Sequence, residues 1–172
     1  MDGDTPHRTP SGDSQPHLVI PHSQADRGFA SRLTAALHQD RISPWIDAVD
    51  MSAGVLLVDW IANAARPVDC VIPAVSAASV WSNWVQHELR TVITRSSGGH
   101  RAMVLPARID NTALPDFLAS RPYLDFFCRG WDPAYEDLLI TVQQSIGGPR
   151  PPRCELPGIG PPPPAHLTEP AG

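Results

Sequence analysis

The 172-residue sequence contains no lysine: all 13 basic residues are arginine. Schiff-base chemistry and the phosphate-cradling P-loop both need an amine side chain, so both are excluded. Cysteine is scarce. Cys70, Cys128 and Cys154 are odd in number, widely spaced and without a Cys-x-x-Cys pair, so neither a disulfide framework nor a zinc site is indicated and no metal is expected. No apolar run approaches the roughly 20 residues that span a bilayer. The opening Met1-Asp2-Gly3-Asp4-Thr5-Pro6 lacks the basic and apolar regions of a secretory signal. These absences predict a soluble chain in a reducing cytoplasm, with no membrane partner. Excess positive charge is also missing. The formal net charge is −5 and the arginines are scattered, so nucleic acid is not an expected partner. There is no Gly-x-Gly-x-x-Gly to mark a redox dinucleotide fold, and no internal repeat.

What is present suits one domain with tails. The hydrophobic fraction of 42% is enough for a single core. Residues 1–16 are mostly Pro, Ser, Gly, Asp and His. Residues 148–172 hold 9 of the 20 prolines, among them Pro161 to Pro164. Both ends are expected to be disordered, leaving a domain over 17–147. The C-terminal tail has the composition of a solubilising linker. As a polyproline helix it would also fit a partner with an aromatic-lined groove.

Between the tails, short apolar runs alternate with helical patterns, as in a parallel sheet flanked by helices on both faces. Strands are expected from Leu18, over 42–47, over 68–75, over 103–109 and over 123–127. Phe29, Ala30, Leu33 and Leu37 recur at helical spacing after Ser23 and Asp26, which offer a capping arrangement. Further helices are predicted over 55–65, about 82–95 and 135–146, with Asp50 to Gly54 as a loop. In such open sheets ligands sit outside the carboxyl ends of the strands, which directs attention to the segments after Ile20, Asp47 and Val75.

On the predicted helix over 82–95, Val85, Leu89 and Val92 define the buried stripe and Glu88 flanks it. Trp84 lies one turn before Glu88 on the same side, placing an aromatic ring beside a carboxylate in the manner of a site that cleaves a glycosidic bond. The alternative is a solvated helical Glu with a rim aromatic. His22 and Ser23, at the end of the first strand, are candidates to meet a sugar or phosphates, although Ser23 serves equally as a helix cap. Asp47, as fit to hold its loop as to touch a ligand, is a weaker candidate, as are Ser76 and Ser79, since two serines after a strand are usually turn residues. His87 is expected in solvent, and Trp45, Trp60 and Trp81 on the core.

The residues together resemble the Toll/interleukin-1 receptor (TIR) domain family over about 17–147. Val19-Ile20-Pro21-His22-Ser23-Gln24-Ala25-Asp26 is similar to the family's opening strand and Ser-x-x-Asp turn, Trp45-Ile46-Asp47 to its second strand, and Gly54 to its BB-loop glycine. Ser76, Ser79, Ser82, Trp84 and Glu88-Leu89 fall at the spacing of the third-strand to third-helix motif, and Pro115, Phe117, Leu118 and Tyr123-Leu124-Asp125-Phe126 resemble the late segment. Pro21-His22 stands where Ser-Tyr is usual, and Ala53-Gly54-Val55 replaces Pro-Gly-Asp. The resemblance implies a flavodoxin-like α/β fold with a five-stranded parallel sheet. It implies one of two activities. The first is hydrolysis of NAD+, bound as substrate and not as cofactor, with Glu88 catalytic and Trp84, His22, Ser23, Asp47, Ser76 and Ser79 around the substrate. The second is a non-enzymatic adaptor in which Asp50, Met51, Ser52, Ala53 and Gly54 mediate association with other TIR domains or with a second copy. The two are compatible, because stacking in this family often completes a neighbour's site. A phosphoacceptor receiver domain shares the strand and helix pattern, but it needs an acidic cluster after the first strand and a later Lys, and this chain has neither.

Overall fold

The computed structural model of the chain describes residues 15–95 and 102–147. β1 (Leu18–His22) is buried along its whole length, as expected of a strand covered on both faces. β1 pairs in parallel with β2 (Ile46–Asp50) on one side and β3 (Cys70–Val71) on the other, and β3 pairs with β5 (Met103–Val104). A second ladder joins β4 (Ala74–Val75), β6 (Ala107–Arg108) and β7 (Leu124–Asp125), again in parallel.

The two ladders are one sheet interrupted by proline. Pro73 lies between β3 and β4 and Pro106 between β5 and β6, and neither can donate to a ladder. The register of Cys70 with Met103 and of Ala74 with Ala107 keeps the same offset across both prolines. Leu105 N still donates to Val71 O at 2.9 Å and Ala107 N to Pro73 O at 2.9 Å. Seven short segments therefore act as the five expected strands, in the spatial order β2, β1, β3/β4, β5/β6, β7.

Helices cover both faces. α1 (Arg27–Gln39) buries Ala30, Leu33 and Leu37, and α5 (Trp131–Gly147) buries Ala134, Leu138 and Val142, all against Leu18, Ile20 and Ile72. On the opposite face, α2 (Leu57–Ala62), a π turn over Trp84–Glu88 that continues as α3 (Leu89–Thr94), and α4 (Asp116–Ala119) supply Leu57, Trp84, Val85, Leu89 and Leu118 to a core with Val19, Val71 and Val75. Each such Leu contributes about 1.5–3 kcal/mol by leaving water.

Several elements differ from expectation for identifiable reasons. Strand two runs over Ile46–Asp50 and not 42–47. Arg41 takes a positive φ of 54°, Pro44 has no N–H to pair, and Ser43 Oγ instead donates to Pro16 O while accepting from Trp45 N. The helix expected over 55–65 shortens to Leu57–Ala62. A 3-10 turn over Met51–Ala53 precedes it and ends on Gly54 at φ 75°, a left-handed conformation suited to glycine. α5 begins at Trp131, earlier than expected, because Pro133 is acceptable in a first helical turn. α4 had no clear periodic signal. Ser23 and Asp26 make no side-chain cap; they bond each other. Trp81 does not cover the core but stands 83% exposed, while Trp45 is 45% exposed beneath the Arg66 guanidinium. Trp60 does pack on the core. The two tails expected to be disordered lie outside the described residues, apart from Gln15 and Pro16.

Burial separates the two described cysteines. Cys70 is sealed in the sheet, and burial, reinforced by the nearby Asp69 carboxylate, pushes its thiol up to about 12. Cys128 is free and exposed. Because only the thiolate reacts, an alkylating reagent at pH 8 is expected to label Cys128 in the native protein and Cys70 only after denaturant is added. Native labelling of Cys70, read by peptide mass, would contradict this packing.

Candidate functional site

Strand order places the site. The sheet reverses direction of growth between β1 and its neighbour β3/β4, the topological switch point at which ligands of this class of sheet bind. Two segments open there: Ser23 with the 3-10 turn Gln24–Asp26 after β1, and Ser76 to Ser79 after β4. They meet through one carboxylate. Asp26 is buried, and its Oδ2 accepts from Ser23 Oγ at 2.6 Å and from Ser76 Oγ at 2.7 Å. Ser79 is fully buried; its Oγ accepts from Ser76 N at 2.9 Å and donates to Ala74 O at 3.0 Å. The structure thus brings Ser23, Ser76 and Ser79 together, and adds Asp26, which sequence reasoning treated only as a capping partner. The available signal was Ser-x-x-Asp directly after the strand Leu18–His22.

Glu88 approaches from the next helix. The π turn carries its half-buried side chain to the start of α2, where Oε2 accepts from Leu57 N. Leu56, at the N-cap position, has no side chain able to do this, so Glu88 caps α2 from a distant part of the chain and meets the positive end of the helix. Trp84 does not share an exposed side with it. The ring is buried, 6% exposed, among Val80, Val85 and Leu89. A π turn fits five residues where an α turn fits fewer, with Leu89 N bonding Trp84 O, and so rotates Trp84 into the core. His87 is exposed, as expected.

His22 and Asp47 lie elsewhere. By the alternation of β1, His22 shares the face of Leu18 and Ile20, on the side of α1 and α5, away from the helix bearing Glu88. Its Nδ1 lies 3.0 Å from Ile20 O, and a carbonyl only accepts, so Nδ1 carries hydrogen and Nε2 is left as acceptor in the neutral ring. Asp47 sits early in β2, opposite Val19, and its carboxylate meets His17 Nε2 at 2.7 Å. The displaced start of β2 makes Asp50, not Asp47, the strand's last residue. Asp47 therefore lies toward the start of β2, near His17, and not at the carboxyl end of the strand where the switch point is.

The loop over Asp50–Gly54 is fastened to the same rim. Arg27 Nη2 donates to Asp50 Oδ2 at 2.8 Å, Ser52 N to Asp50 Oδ1 at 2.9 Å, and Gln24 N to Ser52 Oγ at 2.8 Å. Met51 is buried as an anchor, whereas Ser52, Ala53 and Gly54 are exposed. Beside this loop, Val55, Leu56, Asp59, Trp60 and Asn63 line an open groove of about 430 Å³ along α2, which none of the predicted substrate-contacting residues lines. Among the described residues no group of three or more His, Cys, Asp or Glu can hold a metal ion, and no helix is long and apolar enough to cross a membrane.

A family model described as TIR domain matches residues 19–139, the stretch that contains every contact of this rim. No curated protein matches the chain.

The Arg27 hydrogen bond, with the Ser52 amide, holds the Asp50 carboxyl down at about 2. A carboxyl depressed on folding adds stability above its unfolded value, near 3.8, and that contribution is lost as pH falls through about 2. Hydrogen exchange at the Ser52 amide is expected to be slowed above about pH 4 relative to an unprotected amide and to lose this protection toward pH 2. In Asp50→Asn the protection is expected to fall at neutral pH as well. Equal protection in that variant would show that the carboxylate does not hold the loop.

Proposed function

The chain belongs to the TIR-domain family, and from that premise we propose that it hydrolyses NAD+ to nicotinamide and an ADP-ribose product when copies associate, with Glu88 as the central carboxylate. TIR domains act in signalling by binding one another, so association supplies both the trigger and the setting. The observation that carries the reading is the state of Glu88. It is half-buried and carries no ion pair among the described residues. The Leu57 amide fixes Oε2, and no donor meets Oε1 among those residues.

The chemistry asks little more of the protein. Nicotinamide leaves as a neutral molecule from a cationic pyridinium, so the second carboxylic acid that ordinary glycosidases use to protonate a leaving oxygen is unnecessary. Positive charge then develops on the ribose, and one ionised carboxylate in a partly desolvated crevice stabilises it. Water completes the reaction and releases a proton. Trp84 serves this site from the core as its support and not as a stacking surface. Ser23 stands at the polar rim, Ser76 and Ser79 lie buried beneath it and hold the segment after β4, and the cytoplasm, where NAD+ is plentiful and thiols stay reduced, is the compartment the reading assigns.

A specific observation favours the second reading, a signalling module without catalysis. Capping α2 is by itself a sufficient role for Glu88, and Leu56, at 52% exposure, with the exposed residues Ser52 to Gly54, offers a surface for another TIR domain. The distinguishing variant is Glu88→Gln, which keeps an acceptor oxygen for Leu57 N but removes the charge. We expect concentrated or scaffolded wild type to release nicotinamide, and Glu88→Gln to fall about 10²–10³-fold while losing about 1–2 kcal/mol of stability, the value of a charged hydrogen bond weakened to a neutral one. Undiminished release by the variant, or no release by the wild type in any assembly, would leave the signalling module.

A further inference from the structure

Asp26 is a buried carboxylate without a cation. Only 7% of its surface is exposed, and it makes no ion pair among the described residues; Arg27, next in the chain, turns to Asp50. Buried charges are ordinarily paired. Here two neutral hydroxyls share a single oxygen, Oδ2, whereas an ionised carboxylate offers about four acceptor positions. No donor meets Oδ1 among the described residues, which leaves it as the oxygen of this carboxylate able to take a further donor.

The serines sharpen the chemistry. Ser23 and Ser76 each commit their one hydroxyl hydrogen to Asp26, so toward a ligand their oxygens present lone pairs. Ser76 Oγ already receives Ala78 N at 3.2 Å. The acceptors left over at the switch point are Asp26 Oδ1 and Ser23 Oγ, and the ligand that completes them is one that donates from adjacent atoms. Within a dinucleotide the groups that do so are the vicinal hydroxyls of a ribose.

We propose that Asp26 is the ribose-binding residue of this rim: Oδ2, locked by Ser23 and Ser76, orients the carboxylate so that Oδ1 accepts hydrogen bonds from the paired hydroxyls of one ribose of the substrate. The inference rests on the NAD+ reading above and names a residue that reading does not require. It also accounts for the joining of the two loops: the same carboxylate that receives the sugar ties the segment after β1 to the segment after β4.

The test compares NAD+ with analogues lacking the 2′ or 3′ hydroxyl on one ribose or the other, in wild type and in Asp26→Asn, whose amide cannot present a bare anion. Wild type is expected to show a KM at least 10-fold higher for one of the deoxy analogues. Asp26→Asn is expected to raise KM for NAD+ by 10- to 100-fold, with a smaller change in kcat, and to lose the discrimination between ribose and deoxyribose. A merely structural Asp26 would lower activity without erasing that preference. If the folded variant keeps the wild-type preference, or loses instead a preference for the nicotinamide over the nicotinic acid dinucleotide, the proposal is overturned while hydrolysis stands. If wild type releases no nicotinamide, hydrolysis fails separately. Equilibrium binding of ADP-ribose against its deoxy analogues then decides the inference: a preference lost in the variant supports it, and no preference overturns it. Should Asp26→Asn not fold, Ser23→Ala, at a half-buried position, replaces it. A reduced ribose preference in that variant supports the assignment and an unchanged one contradicts it.

Discussion

One carboxylate holds the rim of this protein together. Asp26 receives one hydroxyl from its own loop, Ser23, and one from Ser76, 50 residues further along the chain, and it does so at the point where the sheet's order reverses. The parallel register of β1 with β3/β4 delivers Ser23 and Ser76 to the same edge. The buried charge then makes their separation costly, because losing either hydroxyl would leave an anion poorly satisfied in a low-dielectric setting. The sheet sets where the loops meet, and Asp26 sets how far apart they stay.

Around it, the rim is assembled from contacts that are individually modest. Glu88 caps α2, Arg27 and Ser52 hold Asp50, and Gln24 holds Ser52. Each is a hydrogen bond worth about 0.5–3 kcal/mol, and the Arg27–Asp50 pair is largely solvated, where such pairs count for least. The two cores are different in kind: Leu18, Ile20, Leu33 and Leu138 on one face, and Val71, Val85, Leu89 and Leu118 on the other, are wholly buried. The loop and the start of α2 thus belong to the low-stability end of the molecule.

Much of the architecture was legible in the residues because buried parallel strands are short apolar runs, and Leu18 to Ile20 and Cys70 to Val75 are such runs. Helix faces were equally plain where Ala30, Leu33 and Leu37 repeat. Boundaries failed where local chemistry overrode pattern. Pro44 and the left-handed Arg41 moved β2 along the chain, and that displacement alone carried Asp47 away from the rim it was expected to join. In the helix that bears Glu88, the π turn altered the periodicity on which Trp84 was placed, and the ring went inward. Asp26 was visible as half of a capping arrangement and as the end of the Ser-x-x-Asp turn. That its hydrogen bonds run to Ser76 as well as to Ser23 is a tertiary fact, invisible to any reading of local spacing.

Under the proposed reading the nucleotide lies against the loops after β1 and β4, with a ribose on Asp26 and the scissile bond facing Glu88. The most direct measurement is a crystal structure of the assembled Glu88→Gln variant with NAD+ bound. The account predicts ribose hydroxyls within hydrogen-bonding distance of Asp26 Oδ1 and the anomeric carbon beside residue 88. A dinucleotide lodged in the groove along α2, with Asp26 closed off beneath unmoved loops, would contradict it.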